Sequence, residues 1–539
     1  MRGTAKRPAG GLPVLWLAAS IAMAGVPPFA AHGQEAQAPV VASGNAEEGK
    51  RLREWGDEYA SEDRHAEAIR AYRAAVAADP SLGPEIAPSL GASLLWANRT
   101  AEAVPVLSAA AARNPGDAKT RKLLALAYRW SDRLDEAERL SRKTLAEEPG
   151  DFEERNGLAV ALLWQGRHRE AATEFERVLA AKPDDVEALL GLSRARLEMD
   201  LPEDAEGPAA SAVAIAPGNA EAAEQLPRVR HRLVRYFEGE IRGSHDSTQL
   251  TLWEFSVGAH GRPAPGLDIG GIAKELLFRQ GSPGKDANID RVDSVNGTGG
   301  ALLLAYHPAP SYSLRASAGM VSYDVADFRP WVGSAGATWF PGDLWRFSLD
   351  WDRAPYDTIL SLQNHVTVDT LAVSTARSIP WKTEITATAA LLFQHNRNDT
   401  GQPTENQGAR FELGLARRLY LEGEGTRLTG LARLTYLGFQ KELDVGMYNP
   451  RRQTAEEVGL DGRWAFRPRW EAFGTAMAGA QQEEGAGGSP TYSLELGVDR
   501  EVGAAGKITL GAFAADSAAA GRGAGYRRQG GYLRFRVPF

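Results

Sequence analysis

Residues 344–352 read LWRFSLDWD, and this stretch decides the fold of the second half of the chain. Trp345, Phe347, Leu349 and Trp351 alternate with Arg346, Ser348, Asp350 and Asp352. On a helix the apolar four would scatter around the axis. On a strand they share one face, and the polar four share the other. The same period of two recurs outward from here. Ile385, Ala387, Ala389, Leu391 and Phe393 oppose Glu384, Thr386, Thr388 and Gln394, and Leu428, Ala432, Leu434 and Tyr436 oppose Arg427, Thr429, Arg433 and Thr435. Val458, Leu460 and Trp464 oppose Glu457, Asp461 and Arg463. Tyr492, Leu494, Leu496 and Val498 oppose Ser493, Glu495 and Asp499, and Leu533, Phe535, Val537 and Phe539 oppose Arg534 and Arg536.

The connections carry separate information. Short ones hold turn residues, as in Pro308-Ala309-Pro310, Pro341-Gly342 and Arg467-Pro468. Long polar ones fall at about 280–297, 353–364, 395–407, 441–454, 480–490 and 515–528. The pattern predicts about sixteen antiparallel strands over 233–539, with long and short connections alternating, the asymmetry of an outer-membrane β-barrel. An even strand count brings both barrel ends to the side of the short turns. Phe340, Trp345, Trp381, Tyr420, Phe466 and Trp470 gather near those turns, where an interfacial aromatic girdle is expected. A soluble β-sandwich shares the alternation but explains neither the loop asymmetry nor a last strand ending in phenylalanine. In lipid no water satisfies an open sheet edge, so the sheet must close. About sixteen strands enclose an aqueous space, whereas about eight would be filled by side chains. The polar face then lines a lumen, with Arg346, Asp350, Asp352, Glu384, Arg433, Asp461, Arg463, Glu495, Asp499, Arg534 and Arg536 as candidate wall residues. Their signs are mixed, which favours neither a cationic nor an anionic substrate, and most are expected to be solvated and paired.

The first half reads differently. Residues 1–33 have the parts of a secretory signal: basic Arg2, Lys6 and Arg7, an apolar core at 11–25, and Ala31-His32-Gly33 before a cut at Gln34. A linker follows over 34–48. Within 49–225, Pro80, Pro115, Pro149, Pro183 and Pro217 recur, by subtraction, every 35, 34, 34 and 34 residues. A period of about 34 with Leu52, Trp55, Gly56, Tyr59, Ala68, Tyr72, Ala75 and Pro80 resembles the tetratricopeptide repeat. The resemblance implies about five helix-turn-helix units stacked into an all-α solenoid whose groove binds partners. Small residues (Ala68, Ala103, Ala137, Ala171, Ala205) are placed for close helix crossing, and each proline stops a second helix. Trp96, Trp130 and Trp164 stand one repeat apart. Two readings of them stand: a ligand-binding ladder along the groove, or packing between repeats inherited by duplication.

Composition removes several alternatives. The chain has 539 residues, a net charge of −8 and no cysteine. No basic excess points to nucleic acid. Without cysteine there is no disulfide, thiolate metal site, cysteine nucleophile or lipoprotein anchor. His260, His307, His365 and His395 form neither a metal-spaced pair nor part of a nucleophile elbow, so no enzyme, metal or cofactor is expected. A repeat arm before a barrel resembles the outer-membrane exopolysaccharide export proteins, of the poly-N-acetylglucosamine and cellulose export types. The resemblance implies a secreted polysaccharide and periplasmic polysaccharide-synthesis or -modifying proteins as partners, with outer-membrane lipid around the barrel. The runner-up is a non-transporting scaffold whose repeats recruit periplasmic proteins.

Overall fold

The computed structural model describes residues 46–281, 293–325, 327–379, 382–397, 403–419, 426–485, 487–503, 505–516 and 526–539. The signal segment 1–33, most of the linker, Trp381 and Tyr420 lie outside the described residues. One compact unit ends at Val229 and another begins at Arg230.

The first unit is helical: α1 (Ala46–Ser61), α2 (His65–Ala78), α3 (Gly83–Trp96), α4 (Thr100–Arg113), α5 (Ala118–Trp130), α6 (Leu134–Glu147), α7 (Phe152–Trp164), α8 (His168–Ala181), α9 (Val186–Glu198), α10 (Pro202–Ile215) and α11 (Ala220–Leu233). The repeat chemistry explains these boundaries. Each repeating proline lies two residues beyond the end of α2, α4, α6, α8 or α10. Inside each repeat the chain turns through a left-handed residue, at Asp63, Asn98, Asp132, Gly166 and Asp200. That conformation favours glycine or a short polar side chain. Asp117, Asp151 and Asp185 cap α5, α7 and α9 by accepting from backbone N–H groups. Ala68, Ala103, Ala137, Ala171 and Ala205 are fully buried. A Cβ on Gly91 would meet Leu107 at 2.3 Å, so that crossing requires glycine.

The second unit is a closed antiparallel barrel of sixteen strands. They are β1 (Tyr236–Asp246), β2 (Leu250–Ala264), β3 (Leu267–Gln280), β4 (Ser294–Ala309), β5 (Tyr312–Tyr323), β6 (Trp331–Trp339), β7 (Trp345–Pro355), β8 (Thr367–Ile379), β9 (Thr383–Arg397), β10 (Pro403–Leu419), β11 (Thr426–Phe439), β12 (Gln453–Arg467), β13 (Trp470–Glu483), β14 (Gly487–Val502), β15 (Gly506–Asp516) and β16 (Arg527–Pro538). Every strand pairs with its chain neighbours, and β1 closes on β16 from Tyr236↔Pro538 to Asp246↔Arg528. Both barrel ends therefore sit at the rim of the short turns.

The expected alternation of long and short connections holds only in part. At the loop-side end 281–293, 356–366, 440–452 and 517–526 are long, but 247–249, 324–330, 398–402 and 484–486 are short. Where a long loop was expected at 480–490, the strands run on: Gln481, Gln482 and Glu483 pair with Ser489, Gly488 and Gly487. Polar sequence there forms ladder rather than loop, because a strand beyond the membrane can carry polar side chains on both faces: Gln482 is exposed, while Gln481 is buried and accepts from Gln453 at 2.8 Å.

The outer face carries Ile241, Val257, Leu302, Met320, Leu349, Val373, Leu391, Leu413, Leu434, Leu460, Leu496, Leu510 and Leu533, all at least two-fifths exposed. A water-soluble protein rarely exposes more than a few hundred Å² of contiguous apolar surface. A belt around a closed barrel is the outer face expected in lipid, which strands of about 9–11 residues suffice to cross.

Candidate functional site: the barrel lumen and its loop-side mouth

Cross-strand pairing fixes which side chains point inward. Residues paired with one another share a face, and the face opposite the exposed apolar belt is the inner wall. Arg346, Asp350, Asp352, Glu384, Arg433, Asp461, Arg463, Glu495, Asp499, Arg534 and Arg536 all have this inner register. Most are paired. Arg315 reaches Asp350 at 2.5 Å, Arg346 reaches Glu384 at 3.5 Å and Arg433 reaches Glu457 at 2.6 Å. Arg427 lies 3.8 Å from Asp461, and Arg463 contacts Glu471 at 3.1 Å and Asp499 at 3.8 Å. Lys507 also reaches Asp499, Arg534 binds Glu240 at 2.6 Å and Arg536 lies 3.5 Å from Glu238. Glu495 accepts from the Tyr532 hydroxyl at 2.6 Å, and Asp352 pairs in register with Thr370.

Sequence reading missed the partners Glu238, Glu240, Arg315, Glu471 and Lys507, and put Glu457 on the polar face without its partner Arg433. Cross-strand register, which a single strand cannot reveal, supplies them. The wall is also two-sided. Through β10–β16, β1 and β2 it bears long charged residues, with Arg242 over the rings of Phe513 and Tyr532, and Arg536 over Tyr236. Through β5–β9 small hydroxyl and alanine side chains stand between the charged Arg315, Arg346, Asp350, Asp352 and Glu384, among them the paired hydroxyls Ser317–Ser334 (2.8 Å) and Ser374–Thr388 (3.0 Å).

At the loop-side end this wetness gives way. Leu250, Leu252, Leu276, Phe278, Val295, Val321 and Tyr323 have the inner register of β2–β5, yet they are buried in one apolar cluster. Val325 and Phe328 of the β5–β6 connection join them. So do Ile359 and Leu362 of a short helix, α12 (Ile359–Gln363), in the β7–β8 connection. That connection is folded inward and seated on a greasy patch of the wall. A capping box starts its helix: the Thr358 hydroxyl and the Ser361 side chain each serve the other's backbone N–H.

The segment is held from two further directions. Asp357 accepts from Arg528 of β16 at 3.0 Å. Around the barrel β16 lies seven strands from β7 in one direction and nine in the other (16 − 7 = 9), so this pair crosses the lumen. Thr358 donates to the carbonyl of Gly446, in the β11–β12 connection, at 2.8 Å. The second connection is itself anchored inside. Asn449 and Asn406 both donate to Gln394 at 3.4 Å, and Asn406 exchanges hydrogen bonds with the Lys441 backbone. Two connections thus meet across the mouth of the lumen. One signal could have revealed the seat: the run Leu276-Leu277-Phe278 is apolar on both faces, which a wall with water inside does not need.

In the helical unit, Trp96, Trp130 and Trp164 are the last residues of α3, α5 and α7 and are 57%, 41% and 45% exposed. Their rings therefore stand at the surface. Trp96 and Trp130 meet edge to face at 5.5 Å. Three residues beyond each indole stands an arginine, and three further a glutamate: Arg99–Glu102, Arg133–Glu136 and Arg167–Glu170. Arg73–Glu102 and Arg167–Glu138 extend the pairing across repeats. The Arg99 hydrogen bond, opposed by modest burial and aided by Arg73, holds the Glu102 carboxyl below its ordinary value.

Models described as tetratricopeptide repeat match residues 94–162 and 156–220. The chain thus combines a tetratricopeptide-repeat unit with a closed sixteen-stranded barrel. No curated protein matches it. Among solved structures it is similar to a bacterial polysaccharide outer membrane secretin, at 12% identity and TM-score 0.44, covering 57% of this chain and 99% of that one. It is also similar to MamA (20%, TM-score 0.29, 33% and 96% covered). A third likeness is to a tetratricopeptide repeat protein from Parabacteroides merdae ATCC 43184 (15%, TM-score 0.31, 34% and 73% covered).

Proposed function

We propose that this protein sits in the bacterial outer membrane and exports a secreted polysaccharide, with the repeats in the periplasm and the barrel as the conduit. The observation that carries this reading is the lumen. Below its apolar loop-side mouth the wall is polar, its charges are mostly neutralised in pairs, and no single cluster would grip a passing chain. Conduction needs binding weak enough to leave. Hydroxyls and paired charges can replace water around a hydrated polymer, and the seated β7–β8 connection supplies a closure that keeps the pore shut at rest.

The repeats take the capture role. Exposed indoles flanked by arginine–glutamate pairs suit a sugar chain, because the ring offers an apolar face and the planar polar groups answer hydroxyls in pairs. The same surface would serve periplasmic polysaccharide-modifying proteins. The closed mouth also favours a second reading, in which the barrel is only an anchor and the repeats are a scaffold.

Conductance separates the two. Full-length protein in planar bilayers, with residues 356–366 replaced by a short glycine–serine linker, conducts ions under the export reading. A barrel that stays silent after that replacement is an anchor.

A further inference from the structure

Among the described strand residues, the turn-side end of the lipid-facing register carries Arg377, Arg417, Arg500 and, across a bulge from Trp470, Arg467, and no carboxylate. Two of them repeat one arrangement. Arg377 of β8 pairs across the ladder with Trp345, the first residue of β7, and its guanidinium lies 4.9 Å from the indole centre. Arg500 of β14 pairs with Trp470, the first residue of β13, at 5.0 Å. Both arginines are exposed, and neither has a carboxylate partner among the described residues. The contrast with the inner wall is informative, because nearly every arginine there is matched to an acid. At the opposite, loop-side end, outward Arg353 is likewise paired, with Asp369 at 3.0 Å.

We infer that Trp345–Arg377 and Trp470–Arg500 form two binding sites for the phosphate of an anionic phospholipid in the leaflet on the turn side. The indole sits at headgroup depth and holds the guanidinium flat and pre-oriented. The planar donor fork then faces outward to a phosphate oxygen pair. A cation unmatched by protein at this depth is neutralised by lipid, and charges near an interface cost a barrel little. This assignment rests on the membrane reading above and adds a lipid preference to it.

The test uses full-length protein in mixed bilayers with spin-labelled phosphatidylglycerol or phosphatidylcholine, reading the motionally restricted fraction of each. Wild type prefers phosphatidylglycerol, and the preference falls when salt rises from about 0.1 to about 1 M. In R377Q/R500Q, which takes one arginine from each site, the preference of each site falls roughly fivefold. R377K/R500K, which keeps the charge, retains most of it. An unchanged preference in R377Q/R500Q overturns the assignment, and so does a salt-insensitive preference in wild type, which needs no variant to fold. If neither label is restricted, the protein is not in the bilayer, and the membrane reading itself has failed.

Discussion

Replacing Ile359 and Leu362 with alanine should unseat the mouth. The two side chains are 5% and 0% exposed, buried against inward-facing Leu252, Leu276, Phe278, Val295 and Val321. Burying a side chain of this size is worth about 1.5–3 kcal/mol, so the seat draws about 3–6 kcal/mol from the pair. The Asp357–Arg528 ion pair adds little by comparison. Its side chains are 42% and 25% exposed, and at that exposure about 0–1 kcal/mol is expected. The apolar seat therefore dominates. I359A/L362A should shift the ratio of open to closed mouths by about 10²–10⁴, whereas R528Q shifts it by less than about tenfold. Both substituted residues lie in a connection, so the strand ladder is untouched, which circular dichroism can verify. The assay is single-channel recording: rare openings in wild type, long openings in I359A/L362A. Wild-type behaviour in that variant refutes the seated-plug account. Stronger opening in R528Q than in I359A/L362A refutes the ranking of the two forces.

Four further outcomes follow from the same geometry. Gly446→Ala puts a Cβ 2.5 Å from the Ser361 nitrogen at a φ of +80°, so it should loosen the plug, seen as faster protease cleavage within 440–452. The backbone penalty alone is about 1–2 kcal/mol. Leu302→Arg, at a residue 71% exposed in the middle of β4, should destabilise the folded barrel by about 2–4 kcal/mol in urea unfolding from vesicles. The triple variant W96A/W130A/W164A should lose binding to the polysaccharide or its processing proteins while keeping its helix content; loss of helix instead supports the packing reading. Acid should weaken the repeats. The Arg99 hydrogen bond, with burial opposing and Arg73 assisting, keeps Glu102 below its ordinary 4.5, and the Thr120 hydroxyl does the same for Asp117. A depressed folded value gives stability that is present above the unfolded value and lost as pH falls through the folded one. The helical melting temperature should therefore drop between about pH 5 and pH 3.

The alternation at 344–352 was enough to read β7, because the membrane and the lumen impose opposite chemistry on adjacent residues. The prolines at period 34 were enough for the repeats, because each proline ends a helix by its own covalent structure. The mouth was legible only in the doubly apolar run Leu276-Leu277-Phe278. Its residues, Leu250, Phe278, Val321 and Leu362, come from strands and a connection far apart in sequence, and only closure of the sheet brings them together. The loop lengths misled for a related reason. Polar residues such as Gln481 and Gln482 suit exposed loop and strand ladder alike, and only pairing with β14 decides between them. The lumen partners share this limit, since Arg433 names no carboxylate until β12 places Glu457 beside it.

The central claim is that one face of each barrel strand meets lipid and the other meets water. The chain has no cysteine, so single cysteines can be walked along β7 without background. In sealed outer-membrane vesicles or intact cells, a small membrane-impermeant maleimide should label cysteines at Ser348, Asp350 and Asp352 once residues 356–366 are removed. Cysteines at Phe347, Leu349 and Trp351 should stay unlabelled. Labelling that is uniform, or that follows a helical period, contradicts the barrel.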